Sequence, residues 1–351
     1  MAYTNVNDPS VYFQTTLYTG NGGTQSVTNG GNSDLQPDLV WIKDRDSGAA
    51  YHRLVDTVRG ATKLLYSNGT NAQDTDATSL TSFNSDGFTV SSGGGVNASG
   101  NSFVSWNWKA GTSFTNDASS TGIGTIDSAG SFNNTAGFSI VSYTGTGSNG
   151  TIKHGLSTAP EMYITKSLSS ARSWAVYNQN IGNTKAVFLN STDAQDTDAT
   201  YWNSTSPTSS VLSLGTRSEM NHSGENFIAY CFAPKQGYSK FGSYAGNGNA
   251  DGPFTYTGFK PAFVMIKNTS SGSTKWTMCD NKRDGFNDNN HRLFANTDDA
   301  ESTSNPWEMY SNGFKMTTTG SFVNASGSNY IYMAFAENPL VGSNFVPTTA
   351  R

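Results

Sequence analysis

Three sets of landmarks recur in the same order along this chain, so any fold proposed for it must be one that can be built three times over. The first is an aromatic–glycine turn: Tyr18-Thr-Gly-Asn-Gly22, Tyr143-Thr-Gly-Thr-Gly147 and Tyr244-Ala-Gly-Asn-Gly248. The second is a proline leading into an apolar run that ends in lysine: Pro37 to Lys43, Pro160 to Lys166 and Pro261 to Lys267. The third is a turn followed by an aromatic run: Asn97-Ala-Ser-Gly100 then Phe103, Asn221-His-Ser-Gly224 then Phe227, Asn324-Ala-Ser-Gly327 then Tyr330. From copy one to copy two the lysines shift by 123 and the asparagines by 124; from copy two to copy three the shifts are 101 and 103. The heptapeptide Ala-Gln-Asp-Thr-Asp-Ala-Thr stands verbatim at 72–78 and 194–200. The units are therefore placed at 1–110, 137–235 and 236–351, the last including a C-terminal tail. Residues 111–136, rich in Gly, Ser and Thr, are expected to be a linker that accounts for the longer first shift.

The repeated runs alternate with period two, as strands do. Val104, Trp106 and Trp108 share one face of the closing run. Their counterparts are Ile228, Tyr230 and Phe232, then Ile331, Met333 and Phe335. That face is large and apolar in every copy, so it points to a core. The other face, Phe103, Ser105 and Asn107 with their counterparts, is smaller or more polar and is expected to be half exposed. Each unit holds about seven short apolar runs, separated by turn residues at roughly 8–12 residue intervals, which is the pattern of a β-sandwich. Asp86-Gly87, Asn312-Gly313 and Asn68-Gly69 supply turn chemistry. The fold class is all-β: three tandem, related, antiparallel β-sandwich units of jelly-roll type. One short helix is expected near 52–59.

Composition agrees. Hydrophobic residues make up 35% and charged residues 13%, with 37 Gly, which is too polar for long buried helices. With 20 Phe, 16 Tyr and 7 Trp, the chain is also too aromatic for a disordered one. A net charge of -5 without a Lys/Arg cluster argues against a nucleic-acid partner. Cys231 and Cys279 match no metal-ligand spacing and make no disulfide framework. The polar first ten residues lack a signal-peptide pattern, and no run is apolar enough to insert into a membrane.

The sequence holds no Gly-x-Ser-x-Gly elbow, His-Glu-x-x-His, P-loop or Cys-x-x-Cys. Gly145-Thr-Gly-Ser-Asn-Gly150 has dinucleotide-loop spacing, but it coincides with the repeated turn and opens no apolar helix. His52, His154, His222 and His291 stand at unmatched places, unlike a repeated catalytic base. No catalytic residue is assigned and no cofactor is required. The acidic loops are candidate calcium ligands, Asp74 with Asp76 and Asp196 with Asp198, echoed more loosely by Asp298 with Asp299, because carboxylates at i and i+2 beside carbonyls resemble half a calcium loop. The competing reading is strand termination and loop solvation. Trp202 and Trp307, beside polar loops, are candidate glycan contacts; the competing reading is core or inter-unit packing.

The set Tyr-Thr-Gly-x-Gly, Pro-Asp-Leu-Val-Trp-Ile-Lys43, Gly87-Phe-Thr-Val90, Val96-Asn-Ala-Ser-Gly100 and Trp106-Asn-Trp-Lys-Ala110 resembles a repeat of virion structural proteins of marine tailed bacteriophages, cyanophage-like ones included. The ending from Ala334-Phe-Ala-Glu-Asn-Pro339 to Arg351 is similar to theirs as well. Unit two departs most, with Ser206-Pro-Thr-Ser-Ser where the others carry Gly-Phe, and His222 in its turn. The resemblance implies a non-enzymatic protein of the virion surface, made in the host cytoplasm and released by lysis: a capsid decoration, a knob or a tail-fibre appendage. Its partners would be other capsid or tail proteins, with a homo-oligomer compatible. The alternative is a lectin-like tail protein that recognises a host cell-surface glycan.

Overall fold

A computed structural model describes residues 4–283, 291–304 and 306–339. The expected tail and the terminal likeness from 340 onward lie outside these residues.

In the first unit an opening strand, Phe13–Thr19, pairs with the closing strand Ser102–Trp108. That strand pairs with the lysine strand Leu39–Asp44, which pairs in turn with Arg53–Asp56, all antiparallel. The same order returns as Phe138–Thr144, Asn226–Phe232, Met162–Ser167 and Ala175–Asn178. It returns again as Ser239–Ala245, Asn329–Pro339, Phe259–Asn268 and Thr277–Asp280. The strand that comes last in each copy is thus central in its sheet. A smaller sheet covers one face of each: Gln25–Val27, Gly87–Val90 and Leu80–Asn84; Gly150–Lys153 with Val211–Leu214; and Phe254–Tyr256, Gly313–Met316 and Trp307–Tyr310. The chain is all-β and its sheets are antiparallel.

The first and third landmarks turn out to be two halves of one lock. Asn97, Asn221 and Asn324 are fully buried. Their side-chain oxygens accept from the backbone of Asn21, Thr146 and Asn247 inside the aromatic–glycine turn at 2.8–2.9 Å. Tyr18, Tyr143 and Tyr244 stack on Phe103, Phe227 and Tyr330 with centroids 5.1, 5.4 and 4.9 Å apart, and each hydroxyl donates to a carbonyl 2.6 Å away. The first glycine of the turn is there for close approach: a Cβ on Gly145 would lie 2.4 Å from the His222 carbonyl. The string 145–150 is therefore a turn, with Gly147 at φ +72°.

Several expectations are corrected. Residues 111–136 are not a free linker. Thr112–Asn116 and Ser128–Asn133 form a hairpin added outside Phe138–Thr144, which makes unit two's sheet eight-stranded. The expected helix near 52–59 is replaced by the strand Arg53–Asp56. The second face of the closing strand is not half exposed: Phe103, Ser105 and Asn107 are fully buried, because the small sheet covers them. That face builds the sandwich interior, with Val40, Ile42, Phe88 and Phe103 in unit one and Tyr143, Leu212, Phe227 and Cys231 in unit two.

The large apolar face points instead to a core held in common. Val104, Trp106, Trp108, Ile228, Tyr230, Phe232, Ile331, Met333 and Phe335 belong to one cluster drawn from all three units. At its centre the ring of Phe335 lies 5.7 Å from Trp108 and 6.0 Å from Phe232, the same position in three copies. Three sandwiches stand around one core. Removing any of these rings would cost about 3–5 kcal/mol.

Candidate functional site

The most elaborate chemistry in the molecule lies at the junctions between units. Each junction repeats the one before it, in a cyclic sense. The residue entering the fourth strand is His52, Trp174 or Trp276, and its backbone N–H bonds Asn68, Asn190 or Asn296 in its own unit. Its ring crosses to the neighbour: Trp174 Nε1 donates to the Tyr66 carbonyl at 2.9 Å and Trp276 Nε1 to that of Phe188 at 2.9 Å. His52 Nε2 meets the Phe294 carbonyl at 3.0 Å. Unit two reaches unit one, three reaches two, and one reaches three. Trp41 Nε1 donates to His52 Nδ1 at 2.9 Å, so the proton of this imidazole sits on Nε2. Burial first, and the nearby Lys43 charge second, hold His52 well below the usual histidine range.

The loop holding the repeated heptapeptide docks in the opposite sense. The backbone N–H groups of Gln73, Gln195 and Glu301 donate to the carbonyls of Leu168, Thr269 and Arg45, at 3.0, 3.0 and 2.7 Å. These carbonyls stand two residues beyond the repeated lysines. Lys43, Lys166 and Lys267 are themselves fully buried, and their ammonium groups donate to main-chain carbonyls. Lys43 reaches Asp44 and Ser47 of its own turn and Asp298 of unit three, at 2.7, 3.2 and 3.2 Å. Desolvation lowers the three amines to about 8, 7 and 8. The recurring lysine is thus a hub for its turn, not a surface charge.

Deepest lies a position that varies between junctions. Tyr230 of unit two donates to Asp56 Oδ2 of unit one at 2.7 Å, and Asp56 pairs with Arg59 at 2.5 Å. Trp106 of unit one donates to Asp280 Oδ2 of unit three at 3.1 Å, and Asp280 pairs with Arg283 at 2.7 Å. The third junction substitutes Met333 for the donor, Asn178 for the acid and Ile181 for the arginine. Met333 lies in the shared core with Ile181 packed against that cluster, and the buried Asn178 Nδ2 has no hydrogen-bond partner. Acid, base and donor are present together or absent together. The ring closes on Glu301, which takes Arg45 at 2.7 and 3.0 Å and Arg283 at 2.9 Å. Burial alone would raise the Glu301 carboxyl, but the two guanidiniums outweigh it and the net shift is downward.

The residues singled out from sequence are placed differently. Trp202 and Trp307 are both 0% exposed, so neither can stack on a sugar. Trp202 packs on Tyr163 and Tyr177 and donates to the Lys185 carbonyl at 2.7 Å. Asp74 accepts from the Tyr66 hydroxyl and Asp196 from that of Tyr201. Asp76 and Asp198 each hold the backbone and hydroxyl of a threonine two residues on. Register puts Ser302, not Asp298 or Asp299, at the unit-three place that Asp74 and Asp196 hold in the other copies. Among the described residues no three His, Cys, Asp or Glu gather as metal ligands. No helix among them is long and apolar enough to cross a membrane. The Asp/Arg pairs were missed. Their signal was present as Asp56-x-x-Arg59 and Asp280-x-x-Arg283, at one offset after the lysine strand.

Fold and junctions define an all-β protein in which three related sandwiches close around a common core. By family, the chain belongs to the proteins that carry a domain of unknown function, DUF7483, whose model matches residues 8–339 across all three units. No curated protein and no solved structure matches the chain.

Proposed function

We propose that the chain is a non-enzymatic structural protein of a virion surface, a compact appendage such as a capsid decoration or knob, or a short tail element. The observation that carries this reading is the cyclic closure. Trp106, His52 and Lys43 bond unit three, and Glu301 returns to Arg45, so one chain imitates a closed trimer. A body with three nearly equivalent faces suits a local three-fold position of a symmetric particle. The sequence resemblance to structural proteins of tailed bacteriophages supplies the particle, and its other proteins are the partners. The buried pairs Asp56–Arg59 and Asp280–Arg283, with the bonds of Tyr230, Trp106 and His52, lie at junctions, where they fix geometry.

The test is labelling of purified particles with an antibody to this chain, followed by cryo-electron microscopy. The expected result is regular decoration, with the common core of the three sheets on a three-fold position. Particles that lack the chain while the lysate retains it overturn the reading.

A further inference from the structure

The three copies of the small outer sheet can be compared with one another, and one of them departs. Pairing to Phe88, Leu212 and Phe314 puts Val27, Ile152 and Thr255 in matching inward places. The outward neighbours are Ser26 and Thr28 in unit one, Thr151 and Lys153 in unit two, and Phe254 and Tyr256 in unit three. Opposite the glycine of the hairpin, unit one has Asn84 and unit three has Tyr310. Phe254 is 47% exposed, Tyr256 50% and Tyr310 38%. Two copies make this sheet without aromatics on its outer face, so the fold does not require them there. Exposed apolar groups gathered in one place mark a binding surface.

The rings do not stand on a flat patch. Phe254 and Tyr256 line an open groove of about 840 Å³ between units two and three. Unit two contributes Glu161, Gln179 and Asn180 to it, and unit three contributes Lys240 and Ser243. Lys240 Nζ donates to the Tyr256 carbonyl at 2.7 Å and lies 5.4 Å from the centre of its ring, which fixes the strand and its aromatic face. Phe254 meets Tyr310 edge to face at 6.1 Å. Asn180 donates to the Phe241 carbonyl across the groove at 3.2 Å, so the two walls are held at a set distance.

We propose that this groove binds a saccharide chain. The C–H face of a sugar ring packs on an aromatic face, whose negative quadrupole favours it, while paired hydroxyls need carboxylate, amide and ammonium partners beside it. The groove offers both kinds of group together. It is open to solvent rather than enclosed, which leaves room for a chain, and its volume lies in the range of ligand sites. Its charges are mixed, Glu161 against Lys235 and Lys240, which suits a neutral or singly acidic saccharide. A nucleic acid would need a run of cations on a chain of net charge -5, and the core of a protein contact is depleted in Lys and Glu, whereas Glu161, Lys235 and Lys240 all line this groove.

The experiment uses the purified full chain on an array of neutral and uronic-acid-containing oligosaccharides, followed by calorimetric titration of the strongest binder. Binding at micromolar to millimolar Kd is expected, and which arm binds identifies the source. The variant F254S/Y256T copies unit one's outer face, so it keeps the fold. It should weaken binding at least tenfold with an unchanged melting temperature. No binding on either arm, or full binding by F254S/Y256T, overturns the proposal. So does a change in oligomeric state by that variant without loss of sugar, since the rings would then serve a protein contact. None of these outcomes depends on where the chain sits in a particle, so the structural role and the sugar site stand or fall separately.

Discussion

Asp56→Asn tests the junction chemistry most directly. The Arg59 side chain is 2% exposed and Asp56 is its ion-pair partner, at 2.5 Å, with Tyr230 of the next unit donating to the same carboxylate oxygen at 2.7 Å. The substitution keeps the shape and removes the charge, leaving a guanidinium in the core with only neutral partners, two carbonyls, an amide and the Tyr230 hydroxyl. Breaking one side of a buried pair costs about 3–5 kcal/mol, because the remaining charge is uncompensated. The protein provides its own repair, since the third junction has Asn178, Ile181 and Met333 at the matching places. The triple variant D56N/R59I/Y230M should therefore recover to within about 1–1.5 kcal/mol of the parent, the usual range for volume-conserving apolar exchange. Urea denaturation followed by tryptophan fluorescence measures both. A loss below about 1 kcal/mol for D56N, or a triple variant no more stable than the single one, would refute the claim that acid, base and donor form one unit.

Further expectations follow from the same geometry. Because the three sheets share a core, urea unfolding should be one cooperative transition; three separable steps would contradict the shared core. His154 is held to about 4 mainly by burial, against an ordinary value near 6.5, so the folded state takes up its proton later than the unfolded chain does. Its contribution is complete above pH 6.5 and is lost as pH falls toward 4, by about 3 kcal/mol for the 2.5-unit gap. His154→Gln should flatten that part of a stability-against-pH curve, and an unchanged slope would count against it. Asn221→Ala removes the bonds to Thr146, Ser148 and Gly215, at 2.8, 2.6 and 2.7 Å, and should cost about 2–4 kcal/mol in thermal or chemical unfolding. Gly145→Ala should also destabilise, since its Cβ meets main chain at His222 and Asn221 as well as the Phe227 ring; a neutral result would show that the turn can open.

Much of the strand layout was readable because it is local. Alternation at Val104, Trp106 and Trp108 and their counterparts identified strands and the inner face. The spacing of Tyr18, Lys43 and Asn97 identified copies. What went wrong went wrong at long range. Ser105 and Asn107 look like surface residues, and only the small sheet laid over them explains their burial. Trp202 and Trp307 look like sugar platforms beside polar loops, and only their burial against Tyr163, Tyr177 and Phe314 shows that both rings face inward. Residues 111–136 look like linker because Ser, Thr and Gly also serve an edge hairpin whose partner strand is supplied by unit two. His52 looks unmatched in sequence because an imidazole stands where the other copies have indole, and the equivalence lies in the carbonyl it reaches, not in its identity.

The amino-acid sequence by itself determined that strands form, how they alternate and that the pattern occurs three times, because each of these follows from neighbours a few residues apart. Tertiary structure decided what the inner faces meet. A strand's periodicity says that one side avoids water; it cannot say whether the cover is the unit's own small sheet or two other copies of itself. Here Trp108, Phe232 and Phe335, more than a hundred residues apart in sequence, cover one another. Burial is non-directional and rewards any apolar surface of the right shape, so the choice of partner belongs to the assembled chain.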